Sequence, residues 1–317
     1  MPDQKRTLLI GGMGFIGLHT ARAFLDAGQD VVVTYHRHRR EPDFLQHDLG
    51  TRALVEQLDV TNEAEVHAVI DKHQPEGVVY LAVPALAGVS PADEFKTNTQ
   101  GYLNVLEAAR QARVRRVTVT SSLAIYSNVK RAPWTEDMDL PVNSSNPTEA
   151  YKKALEVLGL FFGQRTNLDI IFLRVAGIFG PLYHSMANLP SRLCHAAAKG
   201  TAPDLSTMRG GPPKAGDGRD HTYVKDCALG IQLAHMAPSL QHRVYNLGNG
   251  RATTPAQIVA AIEDTVPGFQ VDLAPGGSEA PSYMDITRLR QEVRYQPKYG
   301  VERGIAEYLE WLRTHPQ

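Results

Sequence analysis

The chain has 317 residues, of which 43% are hydrophobic and 21% charged, a composition typical of folded proteins with a large core. Its formal net charge of −1 offers no general field to attract nucleic acid or an anionic membrane, so neither is expected as a partner. Because no leader or long apolar span is evident, and Cys194 and Cys227 lack metal-binding or disulfide spacing, we expect a cytoplasmic protein with reduced thiols.

The first predicted element is a strand, a tight turn and a helix between Thr7 and Gly28. Three glycines in the turn fall three residues apart, which removes side chains where backbone turns, approaches a pyrophosphate and packs its helix on the strand. The helix N-terminus then presents N–H groups to the phosphates. This pattern predicts a dinucleotide-binding turn. The residues expected to contact the cofactor there are Gly11, Gly14, Phe15, Ile16 and Gly17.

The second predicted strand, Asp30–Tyr35, ends in a basic run. An acidic residue at this position would hold a ribose 2′-hydroxyl, whereas His36 and Arg37 suit a 2′-phosphate. We therefore expect NADP as cofactor, with NAD also possible. The alternative is an ordinary solvated basic loop. His36 and His38 have no third ligand at a recognisable spacing, so no metal site is expected.

Later strand ends provide further candidate cofactor contacts. Asp59 and Val60 follow a stretch predicted as helical and lie at a strand end, where the carboxylate could accept hydrogen bonds from an adenine amine. Asp59 could equally cap the helix that begins near Asn62. The apolar strand Val78–Val83 ends in small and apolar residues that let a cofactor approach the backbone. Its candidate contacts are Leu81, Ala82 and Val83.

The ordered motifs resemble the extended short-chain dehydrogenase/reductase family, in particular its NAD-dependent epimerase/dehydratase group, over nearly the whole chain. They comprise the glycine turn, Asp59-Val60-Thr61, Leu81-Ala82, Asn98-x-x-Gly101, Thr120-Ser121-Ser122-x-x-x-Tyr126, Leu173–Pro181, Gly216–Val224, Tyr245–Gly248 and Asp285-Ile286. The resemblance implies an α/β fold with a Rossmann-type doubly wound parallel sheet and a smaller, interleaved C-terminal substrate-binding part. Residues 1–177 would form the dinucleotide-binding domain, with 243–248 returning to its sheet, and residues 178–317 mainly the substrate part.

The resemblance also assigns residue roles. Ser122 would hydrogen-bond the reacting oxygen of the substrate, and Lys152 would bind the nicotinamide ribose. Arg219 is shaped to fork onto a phosphate, with an ion pair to Asp217 or Asp220 as the alternative. The remaining cofactor contacts implied are Asn98 and Ala176, and the remaining substrate contacts are Leu123, Tyr126, Gly177 and Asn188. Gly177 stands where the family commonly has an asparagine.

The chain departs from the family at the catalytic Tyr-x-x-x-Lys pair. If Tyr151 is the family tyrosine, the lysine position is Leu155 and the pair is broken. If Lys152 is the family lysine, Glu156 also matches and Thr148 replaces the tyrosine, which is the register we prefer. A threonine hydroxyl has no accessible pKa near neutrality. Tyr151, about one turn along the helix from Thr148, either acts as a displaced acid or base or simply packs.

The reaction predicted from the resemblance is hydride transfer between NADP(H) and a hydroxyl or keto carbon of a nucleotide-sugar. One alternative is a catalytically silent dinucleotide-binding sensor or scaffold, motivated by Thr148. The other is a reductase of a non-nucleotide aldehyde or ketone, for which Gly177 leaves room. The helix containing Asn98 and the helix Tyr151–Phe162 could form a homodimer, as the family often does, or could merely cover the sheet.

Overall fold

The computed structural model describes residues 6–83, 90–208, 211–278 and 281–315. Its strands are β1 Thr7–Ile10, β2 Val31–Tyr35, β3 Ala53–Gln57, β4 Gly77–Tyr80, β5 Arg116–Ser122, β6 Asp169–Val175, β7 Gly177–Phe179, β8 His221–Tyr223 and β9 Val244–Leu247. Its α-helices are α1 Phe15–Asp26, α2 Glu63–His73, α3 Pro91–Gln111, α4 Pro147–Thr166, α5 Leu189–Lys199, α6 Val224–Met236, α7 Pro255–Thr265, α8 Thr287–Val293 and α9 Val301–Thr314. Two short 3-10 helices span Asp43–Leu45 and Leu123–Tyr126.

Seven strands form one sheet in the order β3-β2-β1-β4-β5-β6-β9. The strands from β3 to β5 pair in parallel, with β1 between β2 and β4. The strand order therefore reverses beside β1, and in such sheets ligands bind at the carboxyl ends of the strands at this point. The predicted Rossmann-type, doubly wound parallel sheet is confirmed.

Two predictions about the strands of this sheet were wrong. The stretch before Leu58, predicted as helical, is strand β3, because residues 53–57 pair in register with all of β2. Pairing with a buried neighbouring strand overrides the local preference of this segment. Strand β4 ends at Tyr80 rather than Val83, so Leu81, Ala82 and Val83 follow the strand.

The chain folds as two compact units. One comprises residues up to 128, 140–174 and 228–245, and the other 129–139, 175–227 and 246–317. In the first unit, apolar residues of the central strands, such as Leu8, Val78 and Val117, are buried together with Val105 and Leu106 of α3. Such burial is typical of a parallel sheet covered on its faces.

The second unit contains the two-stranded parallel sheet β7–β8. Its core is built from buried residues of α5, α7 and α9, including Leu193, Ile258 and Ile305. Among the helices of the described residues, none combines the length and the apolar character needed to cross a lipid bilayer.

Candidate functional site

The glycine turn between β1 and α1 is held tightly. Gly11 has a φ of +78°, a conformation that favours glycine, and its N–H donates to Thr34 Oγ1 at 2.9 Å. A Cβ at Gly11 would lie 2.9 Å from the backbone nitrogen of Ala82, and one at Gly17 would lie 2.6 Å from the Gly11 oxygen. The turn thus packs against the segment after β4, where Leu81 donates its N–H to Ile10.

Helix α1 begins at this turn without a side-chain cap. Its N-cap residue is Gly14, which has no side-chain oxygen to accept the first N–H groups of the helix. Helix N-termini of this kind bind phosphate groups through backbone N–H groups and the helix dipole. The turn and the helix start, including Phe15 and Ile16, therefore fit the diphosphate of a dinucleotide.

Charged side chains cluster at the ends of β2 and β3. His36 and Arg37 are exposed directly after β2, and His36 Nε2 lies 3.7 Å from Asp59 Oδ2. Although burial raises the pKa of Asp59, hydrogen bonds from Thr61 and the charges of His36 and Arg37 lower it overall. The cap of α2 is Asn62, whose side chain accepts from Glu65, so the alternative role of Asp59 as that cap is wrong.

Helix α3 packs closely against the segment after β3. A Cβ at Gly101 would lie 2.6 Å from Val60 Cγ2, and Asn104 Nδ2 donates to the Val60 carbonyl at 3.0 Å. Asn98 is buried, and its amide donates to the Glu94 carbonyl within the same helix. Asn104 was not identified from sequence, because a lone asparagine on an apolar helix face carries no motif.

Lys152 contacts β5 two residues before Ser122, the last residue of that strand. The Ser122 Oγ accepts the Ala124 N–H at 3.1 Å and so caps the 3-10 helix that includes Leu123. Lys152 is buried on α4, and its Nζ donates at 2.6 Å to the carbonyl of Thr120, two residues before Ser122. Burial lowers the pKa of Lys152 to about 8, although the nearby Glu156 carboxylate raises it.

A buried ion pair lies one turn beyond Lys152. Arg174 of β6 donates to both carboxylate oxygens of Glu156, and its Nη1 donates to the Tyr126 hydroxyl at 2.7 Å. The Arg174 guanidinium also lies 5.1 Å from the centre of the Tyr126 ring. Tyr126, predicted as a substrate contact, is fully buried and its hydroxyl accepts from Arg174.

Thr148 and Tyr151 both lie in the first turns of α4. The helix begins at Pro147, earlier than the predicted Tyr151, and Thr148 precedes Lys152 by about one turn. Tyr151 is near Glu94 of α3, and partial burial together with that carboxylate raises the pKa of its phenol.

The remaining predicted site residues belong to the second unit. Asn188 caps α5, accepting from Ser191 and donating to the Ile178 carbonyl. Ala176 and Gly177 donate their backbone N–H groups to Leu247 and Asp220. Arg219 is exposed.

The predicted alternative for Arg219 was an ion pair with a neighbouring aspartate. Within the described residues it pairs with neither Asp217 nor Asp220. Asp217 accepts backbone N–H groups from Lys214 and Ser278 instead. Burial raises the pKa of Asp220 to about 6, against hydrogen bonds that lower it. The sequence pointed to Asp220 only as a possible partner of Arg219, because its burial depends on tertiary contacts.

Known proteins are similar to this chain over nearly its whole length. A UDP-glucose 4-epimerase of Neisseria gonorrhoeae is 27% identical over 333 residues, covering 98% of each chain. The structure of Thermotoga maritima UDP-glucose 4-epimerase with UDP-glucose has a TM-score of 0.81 at 24% identity, covering 98% of this chain and all of that one. The UDP-glucose 4-epimerase of Thermus thermophilus in complex with NAD has a TM-score of 0.79 at 25% identity, with coverages of 98% and 99%. Residues 7–248 match the sequence profile described as the NAD dependent epimerase/dehydratase family. The chain therefore belongs to this family of enzymes.

Proposed function

We propose that this protein uses NADP(H) to transfer a hydride to or from a hydroxyl or keto carbon of a nucleotide-sugar, specifically a UDP-sugar. The observation that carries the proposal is the uncapped helix α1 behind a glycine turn. The full-length similarity to UDP-glucose 4-epimerases supports the choice of a UDP-sugar. When bound, the nicotinamide accepts a hydride from the substrate carbon or returns it.

The proposed cofactor site follows the carboxyl ends of the strands. Backbone N–H groups of the α1 turn would bind the diphosphate, and His36 and Arg37 would bind the 2′-phosphate that distinguishes NADP from NAD. The NAD complexes of relatives describe those proteins, whereas the exposed cations after β2 support NADP here. The further contacts proposed are Asp59, Val60, Leu81, Ala82, Val83, Asn98, Lys152 and Ala176.

On the substrate side, the Ser122 hydroxyl would donate a hydrogen bond to the reacting oxygen, since accepting the Ala124 N–H leaves its own O–H available to donate. Arg219, exposed and without an aspartate partner among the described residues, would bind a substrate phosphate. Leu123, Gly177 and Asn188 remain proposed contacts. Tyr126 is better assigned to supporting Arg174 than to touching the substrate.

We also propose that the protein is a homodimer. Helices α3 and α4 expose five large apolar side chains, a pattern that marks protein interaction surfaces. They are Phe95, Leu103, Val157, Leu158 and Phe161, with exposed fractions of 60%, 36%, 67%, 39% and 59%.

Thermal unfolding with NADP, NAD, UDP and UDP-glucose tests the proposed function. A ligand at one hundred times its Kd stabilises the native state by about 2.7 kcal/mol. We expect stabilisation by NADP, a smaller effect of NAD, and stabilisation by UDP and UDP-glucose. Stabilisation by NADP but by neither UDP nor UDP-glucose would favour the alternative of a reductase that acts on a non-nucleotide aldehyde or ketone. Binding of NADP and of UDP-glucose without turnover of any nucleotide-sugar would favour the alternative of a catalytically silent sensor or scaffold, which Thr148 motivates.

A further inference from the structure

Any hydroxyl that gives up a hydride must also release a proton, so the site needs a group that can take it and return it. Ser122 and Thr148 have hydroxyls whose own ionisation lies far above neutral pH. Neither can hold a proton in one step and release it in another at physiological pH. The proton acceptor must therefore be a different side chain.

The tyrosines near this site are poorly placed for that task. The carboxylate of Glu94 lies near Tyr151 and, together with partial burial, raises the pKa of its phenol. The Tyr126 hydroxyl accepts from Arg174 and is fully buried. Burial raises the pKa values of the Tyr80 and Tyr102 phenols far above neutrality.

Lys152 has the position and the free bonding capacity that these groups lack. Its ammonium carries three N–H donors, yet within the described residues Nζ has one hydrogen-bond partner, the Thr120 carbonyl. Glu156 is bound on both oxygens by Arg174 and affects Lys152 only through space. Two N–H donors of a buried cation, beside the strand that ends in Ser122, are thus left for a ligand.

We propose that Lys152 is itself the catalytic acid and base of the hydride-transfer reaction proposed above, in place of a phenol. In the oxidative direction, the substrate hydroxyl passes its proton to the Lys152 amine, while the carbon passes its hydride to the oxidised nicotinamide. In the reverse direction the Lys152 ammonium returns the proton to the carbonyl oxygen as the carbon regains the hydride.

The electrostatic surroundings support this role. Burial lowers the pKa of Lys152 to about 8, which gives an appreciable fraction of free amine near neutrality. Glu156 lies on the same helix as Lys152, and Arg174 of β6 binds both oxygens of that carboxylate. Of these, Glu156 is the charge that acts on Lys152 directly, and it raises the pKa.

The experiment compares Lys152→Arg with wild type and with Lys153→Arg as the matched control. Arginine keeps the charge but cannot release its proton. Lys153 lies next along α4 and pairs with Glu149, a contact that arginine can preserve. The turnover number on UDP-glucose with NADP is measured from pH 6 to 10. Calorimetry of NADP binding at pH 8, in two buffers of different ionisation enthalpy, counts the protons released without any turnover.

For wild type and Lys153→Arg we expect turnover that rises with pH to a plateau, together with proton release on NADP binding. For Lys152→Arg we expect turnover at least about 100-fold lower with no rising limb, and fewer protons released on NADP binding than from wild type or Lys153→Arg. A rising limb that survives in Lys152→Arg would overturn the inference and leave the proposed function standing. A wild-type protein that binds neither NADP nor a UDP-sugar would overturn both.

Discussion

At the scale of single residues, the buried charge of Lys152 lowers the free energy of unfolding. A buried ammonium with one hydrogen bond loses most of its hydration, and this loss lowers its pKa although the Glu156 carboxylate raises it. The charged form is disfavoured in the folded state relative to the unfolded chain. The cost is therefore fully present below pH 8 and disappears as the pH rises through the ordinary lysine range.

Lys152→Met should therefore change stability in a pH-dependent way. Removing the buried charge relieves about 3 kcal/mol at pH 7, offset by about 1 kcal/mol for the Thr120 carbonyl that loses its donor. We expect a net gain near pH 7 that shrinks and reverses towards pH 10.5, measured by urea unfolding. Lys153→Met should instead lose stability at pH 7, because the buried carboxylate of Glu149 loses its cation. The same loss for both variants at every pH would contradict the argument.

Arg37 allows a residue-scale test of cofactor choice. A charge-assisted hydrogen bond to a 2′-phosphate contributes about 1.5–3 kcal/mol, so Arg37→Ala should weaken NADP binding at least about tenfold. NAD binding should change little. Arg131→Ala, also at an exposed arginine, should affect neither cofactor. Calorimetric titrations at low salt measure both affinities, and an equal loss for NAD and NADP would contradict a 2′-phosphate contact.

At the scale of elements, sequence predicted what local pattern determines and missed what tertiary pairing determines. The strand, glycine turn and helix at the N-terminus could be predicted because glycine spacing and apolar runs are local signals. Strand β3 could not, because its residues become a strand only by pairing with β2. The network of Glu156, Arg174 and Tyr126 could not be predicted from the sequence either, because it joins three separate elements.

The glycine turn supports a prediction with a control in the same chain. Gly11 and Gly28 have φ angles of +78° and +80°, so alanine is strained at both by about 1 kcal/mol. Only at Gly11 would the new Cβ meet the backbone of Ala82, whereas at Gly28 it meets nothing within 4 Å. Gly11→Ala should destabilise the protein more than Gly28→Ala and abolish the thermal shift with NADP. If Gly11→Ala keeps the thermal shift with NADP, the turn does not bind the cofactor.

At the scale of the whole molecule, most crossings between the two units lack a proline-rich or glycine-rich linker in the sequence. Of the five crossings between the units, three lie inside regular elements: between Arg174 and Val175 of β6, between Cys227 and Ala228 of α6, and between Tyr245 and Asn246 of β9. Proline-rich or glycine-rich linkers mark boundaries only where the chain leaves regular structure. The sequence therefore predicted that the chain returns to the large sheet near residue 244. It could not predict that residues 129–139 belong to the second unit, because that grouping depends on long-range contacts.

The proposed dimer is the prediction at this scale. Burying the apolar side chains of α3 and α4 against a second copy would remove them from water, worth about 25 cal/mol for each Å² of apolar surface. The double variant Val157→Glu with Phe161→Glu places charges in that surface and should convert a dimer into a monomer of 34.9 kDa, measured by sedimentation. Val142→Glu, at a side chain 95% exposed just before α4, should leave the dimer intact. A wild-type chain that sediments as a monomer at micromolar concentration would show that these helix faces serve another purpose.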